Sequence, residues 1–178
     1  MGGIIAWLRG HRLAVNIAGA LICFGLYGYA RYYAQDVLGF EPCPLCIFQR
    51  FGIISLGVAL LLSAGLALPR RRWASVLAVV LVVLATAIAA GVSGRHVYVQ
   101  SQPPGTFAGC GASLQWMLEI NPLVDVVRKV LTAPGDCANI DWKFLGLAMP
   151  AWVLLWSLAL GTLGVVTNWP ARRGARPA

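Results

Sequence analysis

Residues 73–94 read WASVLAVVLVVLATAIAAGVSG, twenty-two consecutive positions without an Asp, Glu, Lys or Arg. A helix needs about 20 mainly apolar residues to cross the hydrocarbon core of a bilayer, so this stretch is long enough to span one. Working outward from it, three further charge-free runs extend from Leu13 to Ala30, Phe51 to Leu68 and Phe144 to Trp169. With their ends included, the four runs predict transmembrane helices at about residues 13–33, 47–68, 73–94 and 144–168. The composition agrees: of 178 residues 59% are hydrophobic and 11% charged, with a mean hydropathy of +0.75. Soluble domains average about 45–50% apolar and 25% charged. A soluble enzyme and a disordered chain are both excluded, because so much apolar surface has to be buried in protein or lipid. The expected fold is an all-α membrane protein, a four-transmembrane-helix bundle that forms a single integral membrane domain over residues 1–178. Gly19, Gly25, Gly57, Gly65, Gly91 and Gly161 supply the small residues that let lipid-embedded helices pack closely.

The charges orient the bundle. Arg9 and Arg12 precede the first run, Arg70, Arg71 and Arg72 link the second to the third, and Arg172, Arg173 and Arg176 follow the fourth. These segments share one side and carry the whole net charge of +8, while on the other side six basic residues balance six acidic ones. By the positive-inside rule the basic side, with both termini, is cytoplasmic, and the charge needs no nucleic-acid partner to explain it. Reading the first run as a signal peptide is disfavoured by its length and by the lack of a small-residue cleavage site.

Two loops therefore face the outer side, at about residues 34–46 and 95–143. In the second, Leu123, Val127, Val130 and Leu131 fall on one helical face, opposite Asp125, Arg128 and Lys129. This spacing predicts a short amphipathic helix lying in the headgroup layer, with packing on other loop residues as the alternative.

Of five cysteines, Cys23 lies mid-helix and reads as a small buried apolar side chain. Cys43, Cys46, Cys110 and Cys137 lie in the two outer loops, an even number in an oxidising compartment, which points to two disulfides. The first pair sits in Glu41-Pro42-Cys43-Pro44-Leu45-Cys46 directly before the second helix. Pro44 suits a first helical turn, so Cys43 falls near the N-cap, where the helix end favours the thiolate that attacks disulfides. Arg50 follows Cys46 by four residues, one turn inward, where it can stabilise a thiolate or an anionic ligand oxygen, or simply snorkel to the interface. The second pair, Cys110 and Cys137, encloses 26 residues. Closing that loop is worth about 3–4 kcal/mol, so a structural bridge is one reading. Flanking Gly109, Gly111 and Pro134-Gly135-Asp136 support the other, a bridge reached by a second protein. A zinc site is disfavoured because only one C-x-x-C is present, and no metal is expected. His96, just past the third helix, is a candidate proton donor or ligand contact, or a plain interfacial polar residue.

At these residues the chain resembles the bacterial disulfide bond formation protein B family. The likeness rests on Glu41-Pro42-Cys43-Pro44-Leu45-Cys46-Ile47-Phe48-Gln49-Arg50, on Gly135-Asp136-Cys137-Ala138, and on Trp142-Lys143-Phe144-Leu145-Gly146-Leu147-Ala148-Met149-Pro150-Ala151-Trp152. The resemblance implies an inner-membrane thiol:quinone oxidoreductase that reoxidises a DsbA-like periplasmic thiol oxidase and passes electrons to the membrane quinone pool, ubiquinone or menaquinone. It further implies catalytic roles for Cys43, Cys46, Cys110 and Cys137, with Cys110 forming the mixed disulfide, and quinone contacts from Cys46, Arg50 and His96. Two rivals are a membrane scaffold with inert structural disulfides and a vitamin K epoxide reductase-like enzyme. The second family carries its C-x-x-C near a later helix.

Overall fold

The computed structural model describes residues 2–40, 42–69, 71–103, 114–132, 137 and 142–170. Four helices in it are long and apolar enough to cross a membrane, spanning Arg12–Val37, Pro44–Leu66, Arg72–Gln100 and Met149–Asn168. A short α1 (Gly2–Gly10) precedes them. The first span is α2 (Arg12–Gly28), which continues as a π-helical segment over Tyr29–Val37 and ends at Gly39 with φ of +70°. The others are α3 (Pro44–Leu66), α4 (Arg72–Gln100) and α7 (Met149–Asn168). Between α4 and α7 lie α5 (Leu114–Ile120), α6 (Leu123–Thr132) and a hairpin of β1 (Lys143–Phe144) and β2 (Leu147–Ala148).

The chain is a multi-pass membrane protein. Its outward surface carries Leu21, Leu62, Leu84 and Leu158 exposed along the spans, while the core is assembled from Ala20, Cys23, Ile53, Leu56, Leu60, Val82, Ala85 and Leu160. Because lipid is as apolar as these side chains, close packing holds the helices together. A Cβ on Gly52 would lie 2.8 Å from the Ala89 Cα, and one on Gly161 would collide with Thr86. Among the glycines expected to pack, Gly25, Gly65 and Gly91 meet no neighbouring helix. Cys23 is fully buried in this core, as expected.

Each of the four spans differs at one end from the sequence reading, the first running four residues further, to Val37. The third helix continues past Gly94 to Gln100, because Arg95 marks the edge of the hydrocarbon and not the end of the hydrogen-bond ladder. The second begins at Pro44, three residues before the expected start of the span, and has Cys43 as its N-cap as the local sequence predicts. The fourth begins at Met149, since residues 143–148 fold back as the hairpin, with Leu145 and Gly146 both at positive φ as a type I′ turn requires. In α6, Val126 and Val130 are buried against Leu45, Val99 and Cys137, whereas Leu123 and Val124 point outward. The amphipathic helix is therefore present, but its inward edge is shifted from the expected stripe, because it packs on the ends of α3 and α4.

At the opposite end of the bundle, Asn16 and Asn168 exchange hydrogen bonds of 3.1 and 2.9 Å while fully buried. Removing one partner strands the other in an apolar setting. Asn168→Ala is expected to lower stability by about 1–3 kcal/mol, read as thermal unfolding in micelles. Adding Asn16→Ala should then cost less than it does in the unmutated protein, and full additivity would contradict the pairing.

Candidate functional site

The site is built on the first turn of α3. Cys43 is extended, with φ −63° and ψ 162°, and its sulfur accepts from the Cys46 backbone N–H at 3.3 Å. Pro44 at the first helical position has no N–H to leave unpaired there. Three residues on, the helix returns to the same face, bringing the Cys43 and Cys46 sulfurs to 2.9 Å of one another.

The long loop supplies the third sulfur. Cys137 is buried, and the Cys43 sulfur, the Cys137 sulfur and a His96 ring nitrogen all lie within 4.8 Å of one another. Docking of α6 through Val126 and Val130 puts Cys137 in the same apolar cluster as Leu45 and Val99. Hydrogen bonding with Cys137, then with Cys46, together with burial, pushes the Cys43 thiol upward from its ordinary range, so that Cys43 is held as a thiol while the other two are reduced. Cys110 lies outside the described residues, as do the turns at 109, 111 and 134–136.

His96 is inside α4 and 1% exposed, not on the loop beyond it, because the helix runs one turn further than the charge pattern suggests. Its Nε2 lies 3.2 Å from the Cys137 carbonyl oxygen and 3.9 Å from the Cys43 sulfur, and its Nδ1 is 3.1 Å from Gln49 Oε1. A carbonyl only accepts, so Nε2 carries a proton; Nδ1 then accepts, with the Gln49 side-chain amide turned to present its N–H end to it. Histidine thus ties the Cys137 backbone to α3 and α4.

Arg50, one turn below Cys46, donates from Nη1 to Gln35 Oε1 at 2.7 Å and from Nη2 to the Ala30 carbonyl at 3.0 Å. Beside it opens a cavity of about 550 Å³, within the range of small-molecule sites. Cys43, Cys46, Gln49, Arg50 and His96 form its polar end, and Trp142, Phe144, Trp152 and Trp156 with Ile53, Met149 and Val153 form much of its walls. The hairpin sets the aromatic wall: Trp152 Nε1 donates to the Phe144 carbonyl at 3.1 Å, and the Phe144 ring lies 5.9 Å from those of Trp142 and Trp152. The structure therefore brings Cys43, Cys46, Cys137, Arg50 and His96 to one place. Sequence reasoning passed over Gln35 and Gln49, although an amide in or beside a span is itself a signal, since lipid leaves it no water to bond.

The model of the family described as disulfide bond formation protein DsbB matches residues 12–167. A disulfide bond formation protein B of Xylella fastidiosa (strain 9a5c) is 43% identical over 157 residues, which covers 88% of this chain and 90% of the relative. One from Xanthomonas campestris pv. campestris (strain 8004) is 44% identical over 156 residues, with the same coverage of both. The chain belongs to the DsbB family. The match takes in nearly all of the four spans and every site residue described above, and with it comes the coarse assignment: a membrane oxidoreductase of disulfide bond formation. In this DsbB-family chain, the meeting of Cys43 with Cys137 has a direct consequence. Protein carrying Cys46→Ser and Cys110→Ser should close a Cys43–Cys137 bridge under mild oxidation, identified by mass spectrometry of the linked peptides. A bridge to Cys23, or none, would contradict the geometry.

Proposed function

We propose that this chain is a thiol:quinone oxidoreductase of the bacterial inner membrane, which reoxidises a DsbA-like periplasmic thiol oxidase through two disulfides. The observation that carries the reading is the convergence of both loops on one cavity. Cys137 from the long loop approaches Cys43, while Cys46 and Arg50 line the cavity itself. The charge asymmetry supports an orientation with these cysteines in the periplasm and both termini in the cytoplasm.

A thiolate of the reduced partner attacks Cys110, forming a mixed disulfide and releasing Cys137. The partner's second thiolate resolves it, leaving the partner oxidised and Cys110 and Cys137 reduced. Cys137 then attacks Cys43, and Cys46 leaves as the thiolate. Arg50 and the amino end of α3 hold that negative charge. Cys110 then attacks Cys137 in that bridge, which re-forms the Cys110–Cys137 disulfide and releases Cys43, so that Cys43 and Cys46 are now the reduced pair; their disulfide closes again as two electrons and two protons are given up by way of Cys46. A strongly oxidising partner can surrender electrons only to an acceptor more oxidising than an ordinary thiol.

The donor set fits a quinone, ubiquinone or menaquinone. A flat apolar ring suits the aromatic walls, and its carbonyl oxygens suit the Arg50 N–H groups at the cysteine end. When bound there, a quinone supplies the capacity to take up two electrons and two protons. Cys46, Arg50 and His96 are the residues that would hold it. A scaffold with inert disulfides gives no reason for a cationic, aromatic-walled cavity beside a C-x-x-C.

Two variants separate the halves of the relay. Arg50→Ala should weaken quinone turnover about 10- to 100-fold, as for loss of a charge-assisted hydrogen bond of about 1.5–3 kcal/mol, and leave disulfide exchange with the partner intact. Cys110→Ser should abolish oxidation of the partner while Cys43 and Cys46 still react with quinone. Unchanged quinone kinetics in the first, or full activity in the second, would overturn the order.

A further inference from the structure

Arg50 is held in an unusual way. Its two described partners are the side-chain oxygen of Gln35 and the main-chain oxygen of Ala30, both neutral. Among the described residues no carboxylate reaches it. The nearest acid in sequence to Gln35 is Asp36, which instead pairs with Arg31 on the exposed side. The guanidinium is therefore hydrogen-bonded and fixed, yet no acidic group among the described residues cancels its charge.

The backbone explains how two such oxygens come together. Ala30 and Gln35 are five residues apart and both belong to the π-helical segment Tyr29–Val37. On an α-helix, residues five apart point about 140° away from one another. In a π-helix the ladder runs from i to i+5, so positions 30 and 35 face the same side. Restoring α-winding would swing Gln35 off the face where the Ala30 carbonyl meets Arg50. The π segment thus forms a two-oxygen seat for one guanidinium.

We infer that Gln35 is a positioning residue that seats Arg50 at the cysteine end of the cavity without neutralising it, so that its charge remains available to an anionic sulfur or oxygen there. A glutamate at position 35 would make the same hydrogen bond with the same shape and cancel the charge. A leucine would remove the acceptor and add no charge. These two substitutions distinguish electrostatic positioning from packing, since a merely structural role would tolerate the isosteric residue better than the apolar one.

The inference rests on the role given to Arg50 above, and the test separates the two. Detergent-purified full-length protein, reduced and freed of quinone, is alkylated with iodoacetamide at pH 7, and the rate at Cys46 is read by peptide mass spectrometry. Gln35→Glu should slow Cys46 about tenfold or more, and Gln35→Leu, which unseats the charge without cancelling it, by a smaller but measurable factor of about threefold. Arg50→Met gives the reference for complete loss of the charge. A slow Arg50→Met with an unaffected Gln35→Glu, a Gln35→Leu as fast as the unmutated protein, or a Gln35→Leu slower than Gln35→Glu, would overturn the inference while leaving the role of Arg50 standing. An unaffected Arg50→Met would remove that role and the inference with it.

Discussion

A permanent positive charge one helical turn inside an apolar helix constrains much of the structure around it. Arg50 cannot be left to hydrocarbon, and the chain meets it with two neutral oxygens from the preceding span, which leaves the charge directed at a cavity rimmed by Cys43 and Cys46. To bring those oxygens to one face the first span departs from α-winding at Tyr29. Cys46, four residues before Arg50 in the first turn of α3, then lines the same cavity as that fixed cation.

The second requirement is that sulfurs from two loops meet without leaving polar groups stranded. The long loop has too few residues for a core of its own, and it borrows one: Val126 and Val130 pack on Leu45 and Val99, at the ends of helices that already carry Cys43 and His96. The His96 hydrogen bond to the Cys137 carbonyl satisfies a buried acceptor and at the same time fixes the third sulfur near Cys43. The same docking leaves Leu123 and Val124 outward, an apolar edge beside the membrane end of the bundle.

The four spans were legible because hydrocarbon excludes charge, and a charge-free run is therefore a physical measurement of span length. The helix ends were less legible for the same reason: Arg95 sits where lipid ends, but the α4 ladder continues to Gln100 and carries His96 into a buried position. Residues 144–148 are as apolar as the helix that follows, so the hairpin was hidden until the positive φ of Leu145 and Gly146 revealed the turn. At the site, Cys43 near the N-cap and Arg50 on the inner turn follow from local spacing alone. Gln35 and the π segment do not, because their role arises only when a residue fifteen positions later is packed against them. Nor does the approach of Cys137 to Cys43, which depends on how α6 docks.

The central claim is that electrons from a protein dithiol leave through Cys46 to a quinone. It is tested most directly by mixing detergent-purified protein with a reduced thioredoxin-fold dithiol partner and a soluble quinone analogue, and following quinone absorbance beside a Cys46→Ser control. The account predicts steady loss of quinone absorbance with the unmutated chain and none with the variant. Absence of turnover with both ubiquinone and menaquinone analogues, or equal turnover in the Cys46→Ser protein, would contradict it.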